Sequence, residues 1–127
     1  MRKAGNNMDD KKRLKIKIKT SKIFSEIGVT PNLKGYDYAM RSIEILQKER
    51  IFPCNLWNII SEEFNASASS ISRSIGNAFN KIDREKLDEL EIASKNVRLT
   101  STNILYAIAE KIRRNIIEEE LKENENE

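Results

Sequence analysis

Between Leu56 and Ile82 two amphipathic helical patterns are separated only by the short break Asn65-Ala66-Ser67, and this spacing constrains the chain more than any other feature in it. It is the spacing of a helix-turn-helix. In the second pattern Ile71, Ile75, Ala78, Phe79 and Ile82 recur at i, i+4, i+7, i+8 and i+11, one stripe of a 3.6-residue helix that must face a core. Ser69, Arg73, Asn77 and Asn80 fall on the opposite side, where small polar groups surround a single guanidinium. That face suits the floor of a DNA major groove: small side chains permit close approach, and one arginine can bond guanine O6 and N7 together. Ser67 is placed to cap the helix, whose free first-turn amides are equally able to face a phosphate.

The rest of the chain reads as helix. Met1 to Thr20 alternates Leu14, Ile16 and Ile18 with lysines, as a strand or extended arm does, and with no partner strand in sight the expectation is a flexible basic lead-in. Ser21–Ile27 is a short helix stopped by Gly28, and a longer one runs from Lys34 to about Arg50 with Tyr36, Met40, Ile43 and Leu46 inward. Cys54–Phe64 follows with Leu56, Ile59, Ile60 and Phe64 inward, then the second pattern, then a short charged helix within Asp83–Ala93. The last helix begins near Ser101 and carries Leu105, Ile108, Ala109, Ile112 and Ile116 on one face. The expected fold is all-α, about six helices containing a helix-turn-helix. It comprises a basic flexible arm over residues 1–20, a DNA-binding domain over 21–116, and an acidic tail over 117–127 that frays after Glu118.

At 127 residues, 39% of them apolar, the chain suits one domain with a modest core. Its net charge of +3 is unevenly spread: residues 1–20 hold eight Lys or Arg against two Asp, and residues 117–127 hold six Glu against one Lys. A basic arm beside a DNA reader adds phosphate contacts, and a solvated solubility tail explains it equally well. No histidine and a single cysteine, Cys54, leave no zinc cluster, disulfide framework or ordinary proton shuttle. No triad, paired-carboxylate pocket, phosphate loop or metal-ligand spacing is present, so neither an enzyme nor a cofactor is expected. Without an apolar run approaching a membrane span, the expected setting is the cytoplasm.

Four patches then resemble the C-terminal effector domain of the sporulation-initiation master response regulator family. They are Glu26-Ile27-Gly28-Val29; Leu33-Lys34-Gly35-Tyr36 with Tyr38; Phe64-Asn65 through Ala68-Ser69 with Arg73 and Ile75; and Ala109-Glu110-Lys111-Ile112-Arg113. The resemblance covers roughly residues 20 to 115. It implies six helices, the third and fourth forming the helix-turn-helix, with a guanine-reading arginine on the fourth that corresponds to Arg73. It also implies tandem, head-to-tail placement on adjacent DNA boxes through the last helix. Ser72 and Gly76 stand where the family often has Glu and a second Arg, and Glu62 and Glu63 stand where it commonly has lysines. No receiver domain is expected, hence no phosphorylation switch, since Asp9-Asp10 lies in a tail rather than at the end of a buried strand.

The leading expectation is a sequence-specific DNA-binding transcription regulator. Arg73 and Asn77 read bases, while Ser67, Ser69, Ser70, Lys81 and Arg84 meet the DNA backbone. Its partners are double-stranded DNA, a second copy as a homodimer or tandem dimer on DNA, and a full-length family regulator. Two alternatives stand beside it. One is a protein-interaction module that modulates such a regulator through the last helix; the other is a DNA-binding accessory of a mobile element. Tyr36, Tyr38 and Trp57 are expected to pack in the core or its rim rather than stack on bases.

Overall fold

A computed structural model describes the backbone of residues 3–31 and 33–125 and the side chains from Asp10 onward. Six α-helices follow in order: α1 (Lys3–Ile27), α2 (Lys34–Lys48), α3 (Pro53–Phe64), α4 (Ala68–Ala78), α5 (Arg84–Glu89) and α6 (Ser101–Glu125). Among the described residues there is no strand, and no helix is long and apolar enough to cross a membrane. The all-α class and the six helices are therefore as the sequence predicts.

α2 is the hub, packing against α1, α3, α4 and α6. Its buried side includes Tyr38, Ala39, Ile43 and Leu46, while Tyr36 and Met40, expected inward, are only half-buried. One continuous core gathers these with Phe24 and Ile27 of α1, Leu56 and Ile60 of α3, Ile71 and Ile75 of α4, Leu87 of α5, and Leu105, Ile108 and Ile112 of α6. α1 ends because Gly28, at φ +83°, takes a left-handed conformation in which its own N–H and that of Val29 both donate to the Phe24 carbonyl, at 3.0 and 2.9 Å. The chain leaving this turn is stitched to the end of α4 and the turn beyond it: Thr30 N–H donates to Ala78 O at 3.0 Å and Asp83 N–H to Ile27 O at 2.8 Å. Phe24 completes the joint, edge-on to both Tyr36 and Phe79.

Gly35 serves another purpose. A Cβ built there would lie 1.9 Å from the carbonyl oxygen of Ser74, so the first turn of α2 sits directly on the backbone of α4. No side chain fits between them.

Three expectations are corrected. The stretch read as a flexible or extended arm is helical from Lys3 and continuous with the predicted Ser21–Ile27 helix; the basic side chains of residues 1–9 lie outside the described residues. The period-two alternation misled because in a helix residues two apart point to nearly opposite sides. Ile16 turns in and is buried with Thr20, whose hydroxyl donates to Ile16 O at 2.7 Å, while Leu14 and Ile18 turn out. The acidic run does not fray after Glu118: α6 continues to Glu125 and lies against α1, where Lys15 and Lys19 grip the two oxygens of Glu119 at 2.8 and 2.6 Å. Hydrogen bonds from Lys15 and Lys19 hold the Glu119 carboxyl down at about 2. Lastly, Phe64 is 40% exposed, resting edge-on against Tyr38 rather than entering the core.

Candidate nucleic-acid interface

α3 starts with Pro53 in its first turn, where a missing N–H costs nothing, and buries Leu56, Trp57 and Ile60. It stops at Asn65, whose left-handed backbone (φ 54°, ψ 50°) is one that asparagine tolerates better than most residues. Ser61 then holds the turn from both sides. Its carbonyl accepts from the N–H groups of Asn65 and Ala66, and its hydroxyl donates to the Ala66 carbonyl. Ser67 is extended and caps α4, its hydroxyl accepting from the Ser70 amide at 3.1 Å. Helix, three-residue turn and helix follow in helix-turn-helix order, with the Asn65 and Ala66 amides and the Ala66 carbonyl all bonded to Ser61.

Ile71, Ile75 and Ala78 of α4 are buried, which leaves the other face in solvent. Ser69, Ser72, Arg73 and Asn77 are exposed there, Arg73 and Asn77 lying one turn apart. Ser70 is half-buried, and Ser67, exposed, approaches the Ser69 hydroxyl at 3.3 Å. Lys81, in the turn after α4, and Arg84, the first residue of α5, are also exposed. Gly76 has no atom within 4 Å of where a Cβ would sit, so the rod's outer surface is open beside Arg73. The single guanidinium of α4 is thus presented from a small-sided face.

One assembly escaped sequence reasoning. Arg41 of α2 forks across Glu63 of α3, Nε to Oε1 at 2.7 Å and Nη2 to Oε2 at 2.8 Å, and its Nη1 reaches Glu44 at 2.8 Å. Arg13 of α1 donates to the other oxygen of Glu44, which is buried. Burial pushes the Glu44 carboxyl up, but the hydrogen bonds from Arg13 and Arg41 outweigh it and leave the group below its ordinary range. The bond from Arg41 likewise lowers Glu63 and raises the arginine. Sequence alone offered only the i, i+3 spacing of Arg41 and Glu44; the partners 22 and 31 residues distant left no local trace. Of the two glutamates that stand where the family commonly has lysines, one is thus part of this assembly. Both are exposed, but Glu63 is paired with Arg41.

A comparison with curated proteins finds no significant match. The family model described as Sporulation initiation factor Spo0A C terminal matches residues 20–112, from the last two turns of α1 to the middle of α6. The matched segment contains the joint at Gly28, the seat of α2 on α4 at Gly35, the turn at Asn65 and the exposed face of α4. Its last residue, Ile112, adjoins Arg113, which donates to the Leu46 carbonyl at the end of α2. With most of its length covered in this way, the chain belongs to the family of C-terminal DNA-binding effector domains of the sporulation initiation factor Spo0A.

Proposed function

We propose that the protein is a sequence-specific DNA-binding transcription regulator that lays α4 in the major groove of double-stranded DNA. Arg73 reads a guanine and Asn77 a neighbouring base edge, while Ser67, Ser69, Ser70, Lys81 and Arg84 contact phosphates and fix the register. The observation that carries this reading is the exposure of Arg73 on a face of serines, asparagine and glycine. Arg41, by contrast, is committed to two carboxylates. The Ser67 hydroxyl caps α4, so its contribution to phosphate binding comes through the orientation it gives the first-turn amides.

Selection of bound fragments from a random duplex pool identifies the preferred site, and titration of the Arg73→Ala variant on that site and on random DNA tests the assignment. The expected loss is about 1–3 kcal/mol on the preferred site and much less on random DNA. Equal loss on both makes Arg73 a phosphate contact instead of a reader.

A second reading has one observation in its favour. Phe52 is 76% exposed at a cleft of about 460 Å³ between the α2–α3 connection and α6, lined also by Ile51, Tyr106 and Ala109. An interaction module that engages a full-length regulator through its last helix would use such a cleft. Sedimentation with and without duplex DNA separates the two readings, since a pure interaction module shows no salt-dependent association with DNA.

A further inference from the structure

The joint at Gly28 brings a second helix to the end of α4. With Thr30 N–H on Ala78 O and Asp83 N–H on Ile27 O, the last turns of α1 lie against the turn that follows α4. A cleft of about 540 Å³ opens between them, lined by Ser21 and Ser25 from α1, by Lys81 from the turn, and by Thr30, Pro31 and Tyr36. Lys81, proposed above to meet a phosphate, thus shares its recess with two exposed hydroxyls.

Lys17 extends the row. Lys17, Ser21 and Ser25 stand four residues apart in turn along one edge of α1, each step advancing about 6 Å along the axis. Lys17 borders the neighbouring recess, and Tyr36 borders both, so the row runs without a break from Lys17 to Lys81. Other cations of α1 are committed: Arg13 to Glu44, and Lys15 and Lys19 to Glu119. Lys17 is exposed, and among the described residues no carboxylate lies within ion-pair reach of it. Nearby acids are few. In the recess beside Lys17, Glu44 is taken by Arg13 and Arg41, leaving Asp37; Asp83, two residues after Lys81, turns its carboxylate to the amides of α5. An edge with an ammonium group at each end and hydroxyls between offers donors in series to phosphate oxygens, which only accept.

We infer that this edge of α1 is a second clamp on duplex DNA, in which Lys17, Ser21 and Ser25 hold backbone phosphates beyond the base pairs under α4, on the side of Lys81. The clamp rests on the DNA reading proposed above. It adds to that reading an element whose Lys17 lies outside the family-matched segment, and it lengthens the contact on one side only.

Titrations across a salt series, on the selected site and on random duplex, test the clamp. K17A and S21A/S25A change exposed helical positions to the best helix former, so both variants are expected to fold. Each is expected to weaken binding to both duplexes alike, by about three- to tenfold. K17A should also reduce the slope of log affinity against log salt by about 1. K22A removes an exposed lysine from another side of the same helix and serves as the charge control, with little change in slope expected. As a positional measure, C54S chains carrying S25C are tagged with an iron chelate that cuts nearby DNA. Cutting is expected on one side of the base pairs that Arg73 reads, and not on the other. Unchanged affinity and slope for K17A, an equal effect of K22A, or cutting on both sides would each overturn the clamp, while selective loss by Arg73→Ala would leave the reading by α4 standing. A wild type with no salt-dependent association with DNA would remove both together.

Discussion

The α3–α4 region proposed to meet DNA and the outer parts of α1 and α6 are held by different forces. Around α3 and α4, apolar side chains sit at helical spacing over a shared core, and the close seat of α2 on Ser74 leaves no room for adjustment. Where α1 and α6 extend beyond the matched segment, a few buried groups such as Ile16 and Ile116 share the work with ion pairs at the surface. Close packing is insensitive to salt and pH, whereas partly exposed ion pairs respond to both. The contrast teaches that the α3–α4 surface proposed for DNA rests on close packing, while the outer parts of α1 and α6 are the part that solvent conditions can loosen.

Gly35→Ala strikes at the rigid side and carries the largest expected effect. The added methyl meets backbone rather than a movable side chain, so α2 and α4 must separate, at a cost of about 2–3 kcal/mol. Urea denaturation measures it, and a loss below about 0.5 kcal/mol would show that the seat is looser than the geometry indicates. Next comes Glu44→Gln, which removes the charge that Arg13 and Arg41 share. The expected loss is about 1–2 kcal/mol, with hydrogen-exchange protection falling in α1 and α2 more than in α4. Gly76→Ala has the opposite sign: nothing lies near the new methyl, and helix propensity alone predicts a gain of roughly 0.5–1 kcal/mol. If that stabilised variant binds duplex DNA more weakly, the backbone of α4 approaches the groove closely at that point.

The smallest effect separates the two regions most cleanly. Glu119 has its folded pKa depressed to about 2 from an ordinary 4.5 by its hydrogen bonds to Lys15 and Lys19. A depressed carboxylate contributes stability that is present in full above its unfolded pKa and is lost as pH falls through the folded one. Acidification from about 4.5 towards 2 is therefore expected to lower protection in residues 10–19 and 113–125. Glu119→Gln should abolish that step. Equal loosening of α4 in the same window would erase the distinction between the two regions.

How legible each region was follows from the same physics. α4 could be read directly because its apolar stripe, its cap at Ser67 and its polar face are all encoded within eleven consecutive residues, Ala68–Ala78, and the cap before them. The exposed placement of Arg73 and Asn77 follows from that period alone. The first half of α1 could not be read this way. Leu14, Ile16 and Ile18 are compatible with a strand, and only an α6 that returns a hundred residues later shows that the segment is a helix with two apolar sides. Gly35 was recognisable as part of a family pattern, but its reason lies in Ser74, 39 positions away, which no local rule connects to it. The Arg13–Glu44–Arg41–Glu63 chain was hidden for the same cause: three helices contribute to it, and only one of its bonds is local.

That chain also bears on how a polyanion would first encounter the molecule. With Glu63 paired to Arg41, one of the two acids at the end of α3 beside the turn is offset, and exposed Glu62 supplies the negative charge that remains. On the proposed reading, exposed Arg73, Lys81 and Arg84 would draw diffusing duplex towards α4 before any base is touched, against the repulsion of exposed Glu62, Asp83 and Glu85. Cutting the Arg41–Glu63 link would restore a repelling charge at the doorway, slowing arrival more than it hastens departure.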